Sequence, residues 1–355
     1  MAIEKVLMVW RREEKRPLGL KRPLWLVAVL LLMAVGTAGC GLQKEASFSG
    51  RTMGTVYHIT VVTGLWTDTG RLKKAVDNRL AGINKSMSTY MPTSEISRFN
   101  AVYEAGRGID ASRDFLAVLK VARRIYELTN GAWDGTIWPL VKLWGFNGTE
   151  IPQAVPEAGA IKDALACVGF SGIKIETGRV IKEDPCLILD LASIAKGYGV
   201  DQVAELLKRK GIADFIVEIG GEVYAAGVKK NGEQWRVGVN VPEDTAQFTD
   251  IRRTVTVSDK AVATSGDYRN YVVIDGKKYS HVLNPKTGYP VDNKVASVTV
   301  VADSCVMADG LATGLMVMGP ETGIPLVESL DDTECLITVR PVDGELKDYA
   351  SEGFD

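Results

Sequence analysis

Histidine is scarce in this chain: 355 residues hold two, His58 and His281. A His-rich metal centre is thereby excluded. The common nucleotide signatures are missing too. There is no G-x-G-x-x-G, no G-x-x-x-x-G-K-[ST] and no G-x-S-x-G, so nucleotide binding or acyl chemistry by those routes has no support. Cysteine is sparse and scattered. Beyond Cys40 there are Cys167, Cys186, Cys305 and Cys335, with no C-x-x-C, which argues against a zinc site or a redox pair. Burial as small apolar residues is the expectation for them, with a disulfide left open. No repeat of 20 to 50 residues is visible. The one long apolar run, Leu24–Val35, has twelve residues, against about 20 needed to span a bilayer. Basic residues are not in excess either. Residues 1–39 hold seven Lys/Arg and three Asp/Glu, which leaves 35 basic against 41 acidic residues, about −6, in the remainder. That balance argues against nucleic acid as a general partner.

What is present begins with the N-terminus. "KRPLWLVAVLLLMAVGTAGC" places Lys21 and Arg22 before the apolar run and small residues up to Cys40, the layout of a secretory signal. "TAGC" looks like the lipobox of bacterial lipoproteins, in which the Cys becomes the lipidated first residue; Thr37 departs from the Leu preferred there. An ordinary cleaved signal and an uncleaved anchor are the alternatives. The expected organisation is therefore a lipoprotein signal peptide over 1–39, a tether over 40–48 and one domain over 49–355. Glycine, 36 of 355, exceeds the usual share of roughly 7% and implies many tight turns.

Alternation and β-branching predict a strand over "GTVYHITVVTG". Amphipathic helices are expected at "TGRLKKAVDNRLAGINKSMS", capped by Thr69, and at "SRDFLAVLKVARRIYELTNG", started by Ser112 or Asp110 and stopped by Asn130-Gly131. A Pro-punctuated loop and a short helix follow. "GIKIETG" and "VIKEDPCLILDL" read as strands, and "IAKGYGVDQVAELLKRKG" as a helix closed by Gly211. Five strand-like segments come next, "DFIVEIGGEVYAAG", "WRVGVNVP", "RRTVTVSDKAVATSG", "YVVIDGKKYSHVLNP" and "VASVTVVA". A helix over Asp303–Gly319 and one or two closing strands complete the chain. Strands outnumber helices and run in antiparallel-looking series, so the fold class is α+β, with mostly antiparallel sheets packed with helices.

Three places could carry chemistry. In "DSCVMADGLATGLMVMG", Met307, Leu311, Leu315 and Met318 form an apolar stripe, while Asp309 and Thr313 are i, i+4 neighbours on another face. A buried carboxylate is costly unless paired or bound to metal. Two hard oxygens suit Mg²⁺. A solvated Asp with a Thr that back-bonds into the helix is the alternative. In "LILDLASIAKGYGVD", Asp190 reads as the end of a buried strand and Lys196 as a contact for an anion at the helix start, or as a surface Lys on a plain strand–helix corner. In "SHVLNPKTG", His281 is a candidate acid/base or phosphate contact. His58, in an alternating strand, reads as structural.

Eight segments, in order, then resemble the ApbE family of flavin transferases. They are "MGTVYHI" (Met53–Ile59), "MSTYMPTSEISRFN" (Met87–Asn100), "GAWDGTIWPLVKLWGF" (Gly131–Phe146) and "LDLASIAKGYGVD" (Leu189–Asp201), then "EIGGEVYAAG" (Glu218–Gly227), "ATSGDYRNY" (Ala263–Tyr271), "YSHVLNPKTGYPV" (Tyr279–Val291) and "SVTVVADSCVMADGLATGLMVMG" (Ser297–Gly319). The resemblance implies an ApbE-like fold with FAD in a cleft between two halves. It implies transfer of the FMN half of FAD to a Thr hydroxyl of a target protein, with Mg²⁺ and with release of AMP. An FAD pyrophosphatase releasing FMN, or a flavin-binding lipoprotein without catalysis, are the competing functions. Carried over by position, flavin or adenine contacts fall at Met53, Tyr90 and the Ala132–Trp133–Asp134 turn, and nucleotide contacts at Asp190, Lys196 and Leu283. Mg²⁺ falls to the Ser193 carbonyl and the side chains of Asp309 and Thr313. His281 lies near the pyrophosphate, and the base is Asp309 or His281. Trp133 stands where members often have Phe, and still offers a stacking plane. Asn284 stands where they often have Asp, and an amide cannot act as a base. The implied setting is a lipid anchor at Cys40 on the extracytoplasmic side of a bacterial membrane. The implied partner is an acceptor flavoprotein of a membrane redox complex.

Overall fold

The computed structural model describes residues 42–148, 152–247, 249–268, 270–341 and 344–354. The expected signal peptide and Cys40 lie outside them. Lys44–Asp355 forms one compact unit; of the other, Met1–Gln43, the described residues are Leu42 and Gln43, both exposed. The strands are β1 (Gln43–Thr52), β2 (Thr55–Gly64), β3 (Arg107–Asp110), β4 (Ile173–Glu176), β5 (Arg179–Lys182), β6 (Asp214–Ile219), β7 (Glu222–Ala226), β8 (Trp235–Asn240), β9 (Ile251–Val257), β10 (Lys260–Gly266), β11 (Tyr271–Ile274), β12 (Lys277–Ser280), β13 (Val295–Ala302), β14 (Glu334–Val339) and β15 (Lys347–Ala350). The helices are α1 (Thr69–Met87), α2 (Glu95–Asn100), α3 (Arg113–Leu128), α4 (Trp138–Leu143), α5 (Ala158–Leu165), α6 (Ala192–Arg209), α7 (Cys305–Met318) and α8 (Pro320–Glu328). None of the described helices is long and apolar enough to cross a membrane.

The α+β expectation holds. Eight strands form one sheet in the order β1-β2-β6-β7-β10-β13-β14-β15, with antiparallel ladders from β2 to β15. Its central strands are covered on both faces: every residue of β7 is buried, and all but one of β13. That explains their near-continuous apolar sequence. On one face, Val62, Ala225 and Val262 pack with Trp235, Val239, Val255 and Val257 of the β8–β9 hairpin. The main core holds the sheet's other side chains with α1, α3, α6 and α7. A separate cluster, Leu140, Trp144, Ile161, Val272, Ile274 and Leu283, joins α4 and α5 to β11.

Several local expectations are corrected. The strand β1 begins at Gln43, so most of the expected tether is ladder. The cap of α1 is Asp68, whose carboxylate accepts from Arg71 N, and not Thr69. Three of the five strand-like segments hold two strands each: Gly220-Gly221 and Asp275-Gly276 turn the β6–β7 and β11–β12 hairpins, while Ser258-Asp259 passes the chain from β9, paired with β8, to β10 in the large sheet. Gly220 and Gly221 have φ of 62° and 106°, a two-residue loop that a side chain would strain. The segment Leu187–Leu191 belongs to no strand. The Asn100 side chain takes the place of a ladder there, accepting from Leu189 N and donating to Leu189 O. Cys167 and Cys186 form a disulfide, while Cys305 and Cys335 are the buried thiols expected. His58 is exposed. The helix α8, which starts at Pro320, was not anticipated.

One carboxylate joins the two central helices. Asp201 on α6 accepts from Cys305 N at 2.7 Å and Val306 N at 2.9 Å, capping α7 from outside. The local cap, Ser304, makes no side-chain bond. Burial pushes the Asp201 carboxyl up to about 6 against those two donors. Asp201→Ala is expected to destabilise the fold by about 1–2 kcal/mol, and Asp201→Asn by less, read by denaturant titration. A carboxyl raised on folding stabilises most below its unfolded value, and that contribution is lost as pH rises through about 6. The stability of the parent relative to Asp201→Asn should therefore fall between acid and neutral pH.

Candidate functional site

The helix α7 is buried on nearly all sides, and close packing sets its position. A Cβ on Gly197 would lie 2.4 Å from the Cys305 carbonyl oxygen, so α6 and α7 meet backbone to backbone there. One turn along, Asp309 is 3% exposed, and its Oδ2 accepts from Gly197 N at 3.0 Å. An α-helix aims that N–H at the carbonyl four residues back, which is Ser193. Asp309 thus engages the donor that the Ser193 carbonyl would otherwise have to itself. Asp309 is buried rather than solvated. Thr313 lies 3.1 Å from the Ser265 hydroxyl on β10 and 3.4 Å from Asp309 O.

Lys196 sits between two carboxylates. Its Nζ is 2.5 Å from Glu222 Oε1 and 3.8 Å from Asp309 Oδ1. Among the described residues Glu222 Oε2 is buried with no partner. Burial raises Glu222 to about 8, with Asp309 adding to the rise and Lys196 opposing it. Burial also raises Asp309, against Lys196 and the Gly197 N–H. Burial disfavours the Lys196 charge, yet Asp309 and Glu222 together hold its pKa above the ordinary lysine value. One cation thus serves two desolvated acids, and the group takes up a proton readily.

These residues line a cleft of about 670 Å³, within the range of small-molecule sites. Its lining includes Tyr90, Ala132, Trp133, Asp134, Asp190, Ser193, Lys196, His281, Leu283, Asp309 and Thr313. All but two of the sequence-predicted site residues thus meet in one place. Met53 does not line it. With φ of 49° it begins the two-residue β1–β2 turn, and its side chain packs on the core. Cys40 lies outside the described residues.

Several lining residues are committed to the wall itself. Asp134 is buried and accepts from Thr136 N, Thr136 Oγ1 and Phe170 N; burial still raises its carboxyl. Trp133 is 2% exposed, donates from Nε1 to Ser193 Oγ at 2.9 Å and lies against Phe170. It is not the open stacking plane expected. Tyr90, by contrast, stands at the rim, 93% exposed. Asp190 Oδ1 accepts from Ala192 N at the start of α6, and burial raises its carboxyl. His281 Nδ1 is 2.8 Å from the Asn270 carbonyl, which fixes that nitrogen as the donor. Burial lowers the imidazole pKa, against that bond, so the ring is neutral with a lone pair on Nε2. Leu283 is buried.

The sequence reading missed Glu222. Its signal was legible: a carboxylate opening the otherwise apolar strand "EVYAA" directly after a Gly-Gly turn. A buried charge in such a place needs a partner.

Among the described residues no group of three or more His, Cys, Asp or Glu could hold a metal. The donors that do converge are one carboxylate, one hydroxyl and one carbonyl. Such a hard-oxygen set fits an ion that keeps most of its shell for water and substrate phosphate, as Mg²⁺ does.

The chain matches the model of the ApbE family over residues 53–337. It is 42% identical to the FAD:protein FMN transferase of Vibrio cholerae serotype O1 over 333 residues, 93% of this chain and 97% of that protein. The solved flavin transferase ApbE from Vibrio cholerae aligns with a TM-score of 0.80 at 40% identity, covering 88% of this chain and 98% of that one. The flavinyl transferase ApbE of Pseudomonas stutzeri aligns with a TM-score of 0.78 at 35% identity, covering 87% and 95%.

Removing Lys196 leaves two buried acids without their cation. Lys196→Met is expected to cost about 3–5 kcal/mol of stability at alkaline pH. The deficit should shrink at acid pH, because carboxyls raised in the folded state are then protonated. Thermal unfolding of parent and variant in EDTA, across pH, reads both effects.

Proposed function

The chain belongs to the ApbE family and is an enzyme, an FAD:protein FMN transferase; we propose that FAD binds in the cleft lined by Trp133, Lys196, His281 and Asp309. We further propose that FMN passes to a threonine hydroxyl of an acceptor protein and that AMP leaves. The observation that carries this reading is the convergence of Ser193, Lys196, His281, Asp309 and Thr313 on one cleft. Its wall includes the apolar residues Ala132, Ile137, Trp138 and Leu283. That combination suits a ligand with flat rings and a charged centre.

Asp309, Thr313 and the Ser193 carbonyl would hold Mg²⁺, which when bound supplies charge neutralisation on the pyrophosphate oxygens. Lys196 adds a fixed cation beside that centre, and Glu222 and Asp309 keep it charged at neutral pH. In the transfer, the acceptor Thr oxygen forms a bond to the FMN phosphorus as the bond to the bridging oxygen breaks. AMP carries that oxygen away. The Thr proton goes to a base. Of the two candidates, His281 carries its lone pair on Nε2 because Nδ1 bonds the Asn270 carbonyl, while both oxygens of Asp309 have partners in Gly197 N and Lys196. This favours His281, with its tautomer set by Asn270. Trp133, Asp134 and Phe170 hold the wall in place and leave the proton transfer to other residues.

For location, the reading rests on sequence. The basic pair, the apolar run and "TAGC" support cleavage before Cys40 and a lipid anchor on the extracytoplasmic side. The acceptor would then be a flavoprotein subunit of a membrane redox complex.

Incubation with FAD, Mg²⁺ and an acceptor protein should add the mass of FMN less water to the acceptor, and a Thr→Ala acceptor should gain nothing. Free FMN alone, with acceptor in excess, would mean a pyrophosphatase. Retained FAD with no AMP would mean a carrier. Asp309→Ala is expected to lower transfer at least about 100-fold, the scale for losing a group that stabilises transition-state charge, with circular dichroism unchanged; transfer that persists in EDTA would refute the metal assignment. Because burial lowers the His281 pKa, the acid limb of the rate should lie below the ordinary imidazole value. His281→Gln should remove that limb.

A further inference from the structure

The turn between β2 and α1 carries two apolar side chains in full view of solvent. Leu65 is 41% exposed and Trp66 is 96% exposed. The turn is held firmly. Thr67 N donates to Gly64 O at 3.0 Å, and the hydroxyls of Thr63 and Thr67 are 2.7 Å apart. Trp66 is thus presented by a pinned backbone, away from the protein's own core. Tryptophan in such a position suits a membrane interface, where its ring meets acyl chains and its N–H meets headgroups.

Lys44, on β1, ties the chain's entry point to this turn. Its Nζ donates to Thr67 O at 3.1 Å. In the sequence only three residues separate Cys40 from Lys44. Any acyl group on Cys40 would bring a bilayer to the surface where Leu65 and Trp66 project. The flanking charge agrees. Leu65–Lys74 carries Arg71, Lys73 and Lys74; Arg71, 90% exposed, pairs with Asp68 and Lys73 pairs with Asp77, which leaves Lys74 as the net positive charge beside the turn. Basic residues at this depth are attracted to anionic headgroups.

We propose that Leu65 and Trp66 form a membrane seat, which inserts into the headgroup region beside the lipidated Cys40 and gives the tethered enzyme a fixed attitude on the bilayer. The proposal rests on the lipid-anchor reading. An anchor at the end of the chain leaves the protein free to swing, whereas a second apolar contact restrains it.

The test uses the full chain, processed in a bacterial host and reconstituted in vesicles of phosphatidylethanolamine and phosphatidylglycerol with brominated acyl chains. Bromine is expected to quench part of the tryptophan fluorescence, and Trp66→Phe should lose that part. The variant should keep the parent's unfolding temperature and its FMN transfer, since residue 66 is exposed and is not part of the cleft lining. Equal quenching in parent and variant, with Cys40 shown by mass to be acylated, overturns the seat and leaves the anchor standing. A mature protein with no acyl mass on Cys40 overturns the anchor reading and the seat with it.

Discussion

The contact of α6 with α7 at Gly197 is the constraint from which the rest of the site follows. The Cys305 carbonyl occupies the space that a side chain on residue 197 would need. Because the two backbones touch, the Asp309 carboxylate reaches the Gly197 amide, and Asp201 reaches the first amides of α7. Each helix thus supplies an acid or an amide that the other needs. A larger residue at 197 would separate these pairs together, so the fold and the site share one point of failure.

That contact also determines the electrostatics. Asp309 and Glu222 are both buried, and a single lysine stands between them. Two buried carboxylates with one cation are unstable as a purely structural device. The proposed Mg²⁺ would supply the second positive charge. The cleft residues divide accordingly. Asp134 and Trp133 have their polar atoms satisfied within the wall. Among the described residues Glu222 Oε2 has no partner, and the His281 tautomer leaves a lone pair on Nε2.

Much of this was legible in the sequence, for identifiable reasons. The pattern of α7 gave its boundaries, and the spacing of Asp309 and Thr313 put them on one face. Ser112 and Gly211 did mark helix ends. What periodicity does not encode is a side chain standing in for backbone. Asn100 satisfies Leu189 on both sides, so an apolar stretch that reads as a strand is not one. Nor does it encode a cap delivered from another helix, as Asp201 delivers one to α7. The pairing of Cys167 with Cys186 joins residues 19 apart across a hairpin whose folding cannot be read from the spacing. Trp133, a flavin contact by the family resemblance, does line the cleft, but its spacing could not show that its indole N–H is held by Ser193.

The disulfide has a consequence in chain entropy. Closing a 19-residue loop removes about 3 kcal/mol of unfolded-state freedom. The loop begins beside Phe170, whose amide holds Asp134, and ends four residues before Asp190. Two stretches without a long ladder of their own are thereby fixed relative to each other. The part of the cleft wall at Ala132–Asp134 and Asp190 is irregular backbone, yet its freedom is restricted before any ligand arrives, which lowers the ordering cost that binding would otherwise carry.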